Sequence, residues 1–78
     1  MYKVELFERG KGTSFVSSCD SRESAFVAIR ADARERFGSC VEGVYASVKP
    51  TFEGIVASYR VPGREVWYQV YLGEVLNG

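Results

Sequence analysis

Residues 20–38 read DSRESAFVAIRADARERFG, and this is the only long stretch with a helical rhythm. Ala25, Phe26, Ile29, Ala33 and Phe37 recur at spacings of one, three and four, so on a repeat of about 3.6 residues per turn they share one face. Glu23, Ala28, Ala31, Asp32 and Glu35 fall mostly elsewhere, on the expected wet side. Asp20 and Glu23 have the spacing of a capping box, and Ser21 is an alternative cap. Gly38 supplies the left-handed conformation that ends helices. The apolar stripe is narrow and partly alanine, which suits close packing on a sheet. Asp32 and Arg36 stand at the i, i+4 spacing of an ion pair on a solvated surface.

Working outward, everything on either side reads as strand or turn. Tyr2 to Glu8 alternates, with Tyr2, Val4 and Leu6 opposed to Lys3, Glu5 and Phe7. Arg9-Gly10-Lys11-Gly12 is a hairpin turn, and Thr13 to Cys19 is the return strand, with Phe15 as its main anchor. After the helix, Val41 to Lys49 reads as a strand with Val44, Ala46 and Val48 opposite Tyr45, Ser47 and Lys49. Pro50 stops it, because proline has no amide to donate to a ladder. Gly54 to Val61 is the next strand, and Pro62-Gly63 is a turn. Glu65 to Leu72 is the last, with Val66, Tyr68, Val70 and Leu72 opposed to Trp67, Gln69 and Tyr71. Gly73 to Gly78 reads as a fraying tail. The order β-β-α-β-β-β predicts a single α+β domain over residues 1–78, one helix packed on one face of a mainly antiparallel sheet. Short connections favour a hairpin before the helix and a three-stranded meander after it.

Composition bounds the function. At 78 residues and 46% apolar, the chain has about enough material for one small core. Ten basic and ten acidic residues cancel, which disfavours charge-driven binding to nucleic acid. No apolar run approaches the roughly 18 residues of a membrane span, and no signal-peptide pattern opens the chain, so a soluble cytoplasmic protein is expected. Cys19 and Cys40 flank a helix that separates them by roughly 25 Å, too far for a disulfide, and both are read as reduced. Two cysteines without a histidine make no ordinary zinc site, so no metal or cofactor is expected.

One helix covers one face of a five-stranded sheet, and the other face must be wet or meet a partner. If Val4, Tyr68 and their companions pack under the helix, Phe7, Tyr45, Trp67 and Tyr71 project from the far side, with Lys3, Lys49 and Gln69 among them. Aromatic rings with a basic or amide fringe are enriched in recognition surfaces, because they bury area at low entropic cost. The alternative is that the sheet curls and buries several of these rings itself. Strand aromatics also stack bases in some nucleic-acid-binding sheets, but the basic strand with glycine that marks that family is absent. Arg22, Arg30, Arg34 and Arg36, with Arg9 and Lys11, are candidate basic spots and more simply a solvated face. Catalysis has little footing: the chain has no histidine, and Cys19, beside a helix N-terminus, lacks an evident base. The Gly10-Lys11-Gly12-Thr13-Ser14 segment lacks the spacing of a phosphate loop and precedes a strand.

The hairpin beginning at Tyr2 and the helix DSRESAFVAIRADARERFG before a sheet, within 78 residues, resemble the small proteins encoded by phages and other mobile elements, including anti-CRISPR inhibitors. The resemblance implies a stoichiometric inhibitor in the cytoplasm of a host cell. It would bind a CRISPR interference complex and block DNA recognition or nuclease recruitment. The residues themselves imply a non-enzymatic protein-binding module. The alternatives are a single-stranded nucleic-acid binder using the open sheet face, or a homodimer in which two aromatic faces cover each other.

Overall fold

Ser21 caps the helix. In the computed structural model, which describes residues 1–73, the Ser21 side-chain oxygen accepts from the Ser24 amide at 3.0 Å. Helix α1 runs Arg22–Phe37, and Gly38 closes it at φ 64° with its amide donating to the Arg34 carbonyl at 2.9 Å. The expected stripe faces inward: Ala25, Ile29 and Ala33 are buried, and Phe26 and Phe37 are half-buried at its margins. Small residues on either side of Ile29 let the helix axis lie close to the sheet.

The strands are β1 (Tyr2–Glu8), β2 (Gly12–Cys19), β3 (Glu42–Ala46), β4 (Ile55–Arg60) and β5 (Val66–Leu72). They form one five-stranded sheet in the order β2-β1-β5-β4-β3, with every neighbouring pair antiparallel. The hairpin and the meander are both present, and β1 pairing with β5 joins them, so the most regular strand in the sequence lies at the centre. Glycine makes the hairpin ends possible: Gly10 at φ 85° lets the Lys11 amide return to the Glu8 carbonyl at 2.9 Å. Gly63 at φ 80° follows Pro62 as a type II turn requires. Gly73 donates to the Met1 carbonyl at 2.8 Å, and the rest of the expected tail lies outside the described residues.

β3 is shorter than the reading Val41 to Lys49. It ends at Ala46, and Val48 and Lys49 belong to the loop 47–54. That loop has its own bonding: Thr51 donates its amide to the Ile55 carbonyl at 2.9 Å, and its hydroxyl accepts from the Ile55 amide at 3.1 Å. A continued strand would compete with those bonds.

Three strands carry a bulge that period-two reading does not anticipate. Val16 in β2, Val44 in β3 and Val56 in β4 are each skipped in the pairing register. An extra residue bends the strand and changes which face the following side chains take. Phe15 therefore stands 62% exposed and anchors nothing, while half-buried Val16 packs against the core in its place.

The core lies between α1 and one sheet face. Val4, Leu6, Ile29, Val56, Val61, Tyr68 and Val70 are its fully buried large side chains. The helix backbone lies over β2, β1 and β5, and Phe26 reaches toward β4 with its ring 5.2 Å from that of Tyr59. Ala28 and Asp32, expected on the wet side, are half-buried. Asp32 turns inward because the Tyr68 hydroxyl, carried into the core by its ring, donates to it at 2.6 Å. Arg36 closes the same carboxylate from outside, at 3.0 and 3.1 Å, which is the i, i+4 pair the spacing predicts.

Burial pushes the Asp32 carboxyl up, but the hydrogen bonds from Arg36 and Tyr68 and the Arg36 charge outweigh it, leaving the pKa below the ordinary aspartate value. A depressed carboxyl stabilises the fold fully above its unfolded pKa of about 3.9, and that contribution disappears as pH falls through the lower folded value. Burial first, and then the bond to Asp32, hold the Tyr68 hydroxyl well above the usual phenol range, so it stays a neutral donor. Asp32→Asn should therefore lose about 1.5–3 kcal/mol at neutral pH, the usual worth of hydrogen bonds to a charged group. Urea unfolding of both proteins as a function of pH checks this. The two curves should converge at acid pH, and a constant gap would mean that the charge of Asp32 is irrelevant.

Candidate partner-binding face

Residues opposite one another in an antiparallel ladder share a face, so the register assigns every side chain of the uncovered side. One row across the sheet holds Thr13, Phe7, Trp67, Arg60 and Glu42. The next holds Phe15, Glu5, Gln69, Ser58 and Tyr45. The third holds Ser18, Lys3, Tyr71 and Ile55. Lys3, Phe7, Tyr45, Trp67, Gln69 and Tyr71 thus stand together opposite the helix. Lys49 does not join them through the ladder, since it lies in the loop 47–54 beyond the end of β3.

The rings are neither buried nor fully displayed. Phe7 and Tyr45 are 38% and 40% exposed, while Trp67 and Tyr71 are half-buried by their neighbours. Phe7 and Trp67 lie 5.9 Å apart, tilted by 39°, within the range of favourable ring contacts. The Lys3 ammonium sits 5.4 Å above the Tyr71 ring and 3.3 Å from Glu5. The Tyr71 hydroxyl donates to Gln69 Oε1 at 2.8 Å. Burial, with the charges of Glu5 and Glu53, pushes the Tyr71 phenol up, so it is a neutral donor under ordinary conditions. Arg60 pairs with Glu42 at 3.0 Å in the first row.

The face is therefore aromatic and electrically balanced. Lys3 and Arg60, its two cations, each have a carboxylate of the same face as partner. The loop 47–54 stands at the Tyr71 end, tied there by the Leu72 amide donating to the Gly54 carbonyl at 2.8 Å. It presents Val48 and Phe52 almost wholly to solvent, at 92% and 104% exposure. Arg22 at the helix start donates to the Ser47 and Val48 carbonyls and fixes this loop from the other side.

Val44, Val48 and Leu72, read with the helix-facing rows of their strands, are exposed because β3 lies beyond the cover of the helix, Val48 lies in the loop and Leu72 ends its strand. Phe15 and Phe52 are two further apolar residues that sequence reasoning did not place on a surface. The bulge at Val16 hides the first from a period-two reading. The second had a legible signal, a phenylalanine inside the turn-forming run Pro50-Thr51-Phe52-Glu53-Gly54. Cys19 is buried and Cys40 exposed, and both thiols are free. Asp32 and Tyr68 are shifted away from neutrality in opposite directions, ionised acceptor and neutral donor, which suits a structural bond rather than proton transfer near pH 7.

No protein family matches the chain, and neither a curated protein nor a solved structure is significantly similar to it. No described helix is long and apolar enough to cross a membrane.

Exposure makes a direct statement about stability. Phe15→Ser and Phe52→Ser should each change the unfolding free energy by no more than about 0.5 kcal/mol, as surface substitutions do. Val70→Ala, at a fully buried site, should cost well over 1 kcal/mol. Urea denaturation of the three variants decides it, and a large loss from Phe15→Ser would place that ring in the core.

Proposed function

We propose that this protein is a non-enzymatic binding module that docks on another protein through the sheet face opposite its helix. The observation that carries the reading is the row chemistry of that face. Phe7, Phe15, Tyr45, Trp67 and Tyr71 share it, while Lys3 and Arg60 are neutralised within it by Glu5 and Glu42. Amphipathic rings held by a stiff ladder bury area on contact with little loss of freedom, the pattern of interface hot spots. A polyanionic partner would be met by unpaired cations, and this face keeps its cations paired. An inhibitor of a CRISPR interference complex, as the resemblance to phage-encoded inhibitors implies, is the most specific form of this proposal.

Affinity capture from lysate of the native host tests the reading. The wild-type protein should retain a protein partner in fixed ratio at about 0.5 M salt, where charge-driven contacts are largely screened. Trp67→Ala and Tyr45→Ser should each lose it while still unfolding cooperatively. Retention of nucleic acid that washes off steeply between about 50 and 200 mM salt would reject a protein partner. Unfolding of Trp67→Ala with unchanged capture by Tyr45→Ser would reject the face.

A further inference from the structure

From the geometry of its free edge, we infer that β2 pairs with the β2 strand of a second copy of this chain, joining two sheets into one. β2 and β3 are the two edges of the sheet. Sheet edges present unpaired amides and carbonyls, and proteins protect them with charges, proline or very short strands. β3 is five residues long and carries Glu42. β2 is eight residues long, GTSFVSSC, without a charge or a proline. Its residues 12–15 and Ser18 are exposed, and Phe15 stands 62% exposed near its middle.

The bulge and the charges that flank the strand together select the register. Pairing with β1 places Thr13, Phe15 and Ser18 on the open face, opposite Phe7, Glu5 and Lys3. It places Ser14, Ser17 and Cys19 on the helix face, opposite Leu6, Val4 and Tyr2, so the side-chain parity changes at Val16. Opposed residues in an antiparallel ladder must share a face. Against its own copy, β2 meets that condition on both sides of the bulge in two arrangements, Ser14 opposite Cys19 with Phe15 opposite Ser18, or Thr13 opposite Ser18 with Ser14 opposite Ser17. Only the second sets unlike charges against each other beyond the strand ends. In it the two-fold axis passes between Phe15 and Val16, and the two identical bends match. Threonine and serine opposed across a ladder are favourable pairs.

Charge decides for this register. Continued one step past the strand ends, it sets Lys11 of each copy opposite Asp20 of the other. Both residues are exposed, and the Lys11 contact with Glu8 in its own chain is a long 3.9 Å. A two-fold axis perpendicular to the sheet keeps both helices on one side. The two open faces therefore run together, with both Phe15 rings at the seam. This inference stands on the edge alone and does not depend on the partner proposed for the face.

One strand pair buries less than the roughly 1,200 Å² of stable interfaces, so the association is weak. Sedimentation of the full chain from about 10 µM to about 1 mM, a range that spans weak dissociation constants, should show the mass rise from 8.7 kDa toward twice that value. Lys11→Asp alone and Asp20→Lys alone each oppose like charges at both ends and should weaken association about tenfold. The double variant should restore it to within about threefold of wild type, which misfolding could not do. Val44→Lys, on the other edge, and Trp67→Ala, on the open face, should leave it unchanged. A monomer throughout the range overturns the inference, as do single charge variants that associate like wild type. Loss of association in Val44→Lys or Trp67→Ala assigns the contact to β3 or to the open face and overturns it equally.

Discussion

A buried tyrosine hydroxyl has to find a partner, and most of this architecture follows from how Tyr68 finds one. Its ring is the largest fully buried side chain, on the central strand β5. Its hydroxyl reaches Asp32 at 2.6 Å, and Asp32 in turn is held by Arg36. Hydrophobic contact alone would let α1 slide or roll over valines and alanines at small cost. A short bond to an ionised carboxylate is directional, and leaving the hydroxyl unsatisfied would cost about 1–3 kcal/mol. The bond therefore fixes both the rotation of the helix and its position along β5. With α1 so fixed, one sheet face is covered and the identity of the other is decided.

The helix and its stripe, the tight turns and the alternation of β1 and β5 were legible because each depends on neighbours a few residues apart. Grouping Phe7, Trp67 and Tyr71 on one face was legible for the same reason, since β1 and β5 are free of bulges in their mutual register. What escaped was set by contacts distant in sequence. Hydropathy sends Asp32 to solvent, and only Tyr68, 36 positions later, draws it inward. Strict alternation gave Phe15 to the core and Lys49 to a strand. The bulge at Val16 and the self-bonded loop around Thr51 answer those two misreadings. A bulge leaves no composition signal here, because the skipped residue is in each case a valine, an ordinary strand residue.

The open face also shows why zero net charge is informative beyond its sum. Neutrality could arise from separated basic and acidic patches, each suited to an oppositely charged partner. On this face cancellation is local: Lys3 with Glu5 and Arg60 with Glu42. Pairs of this kind contribute little to stability. Their effect is to remove long-range attraction, so that selectivity of the face rests on shape and ring contacts.

The helix lies over β2, β1 and β5 and leaves β3 without cover; all five residues of β3 are exposed. Mechanically, the sheet is a plank clamped at one end and free at the other. Its outer end is braced by long side chains, Phe26 against Tyr59 and Arg22 against the Ser47 and Val48 carbonyls. Regions with few buried contacts open at the lowest free energy. A molecule meeting Phe7 and Trp67 therefore touches the stiff end, and one meeting Tyr45 touches the compliant end. The same surface combines a rigid template with a margin that can adjust its twist to what it meets.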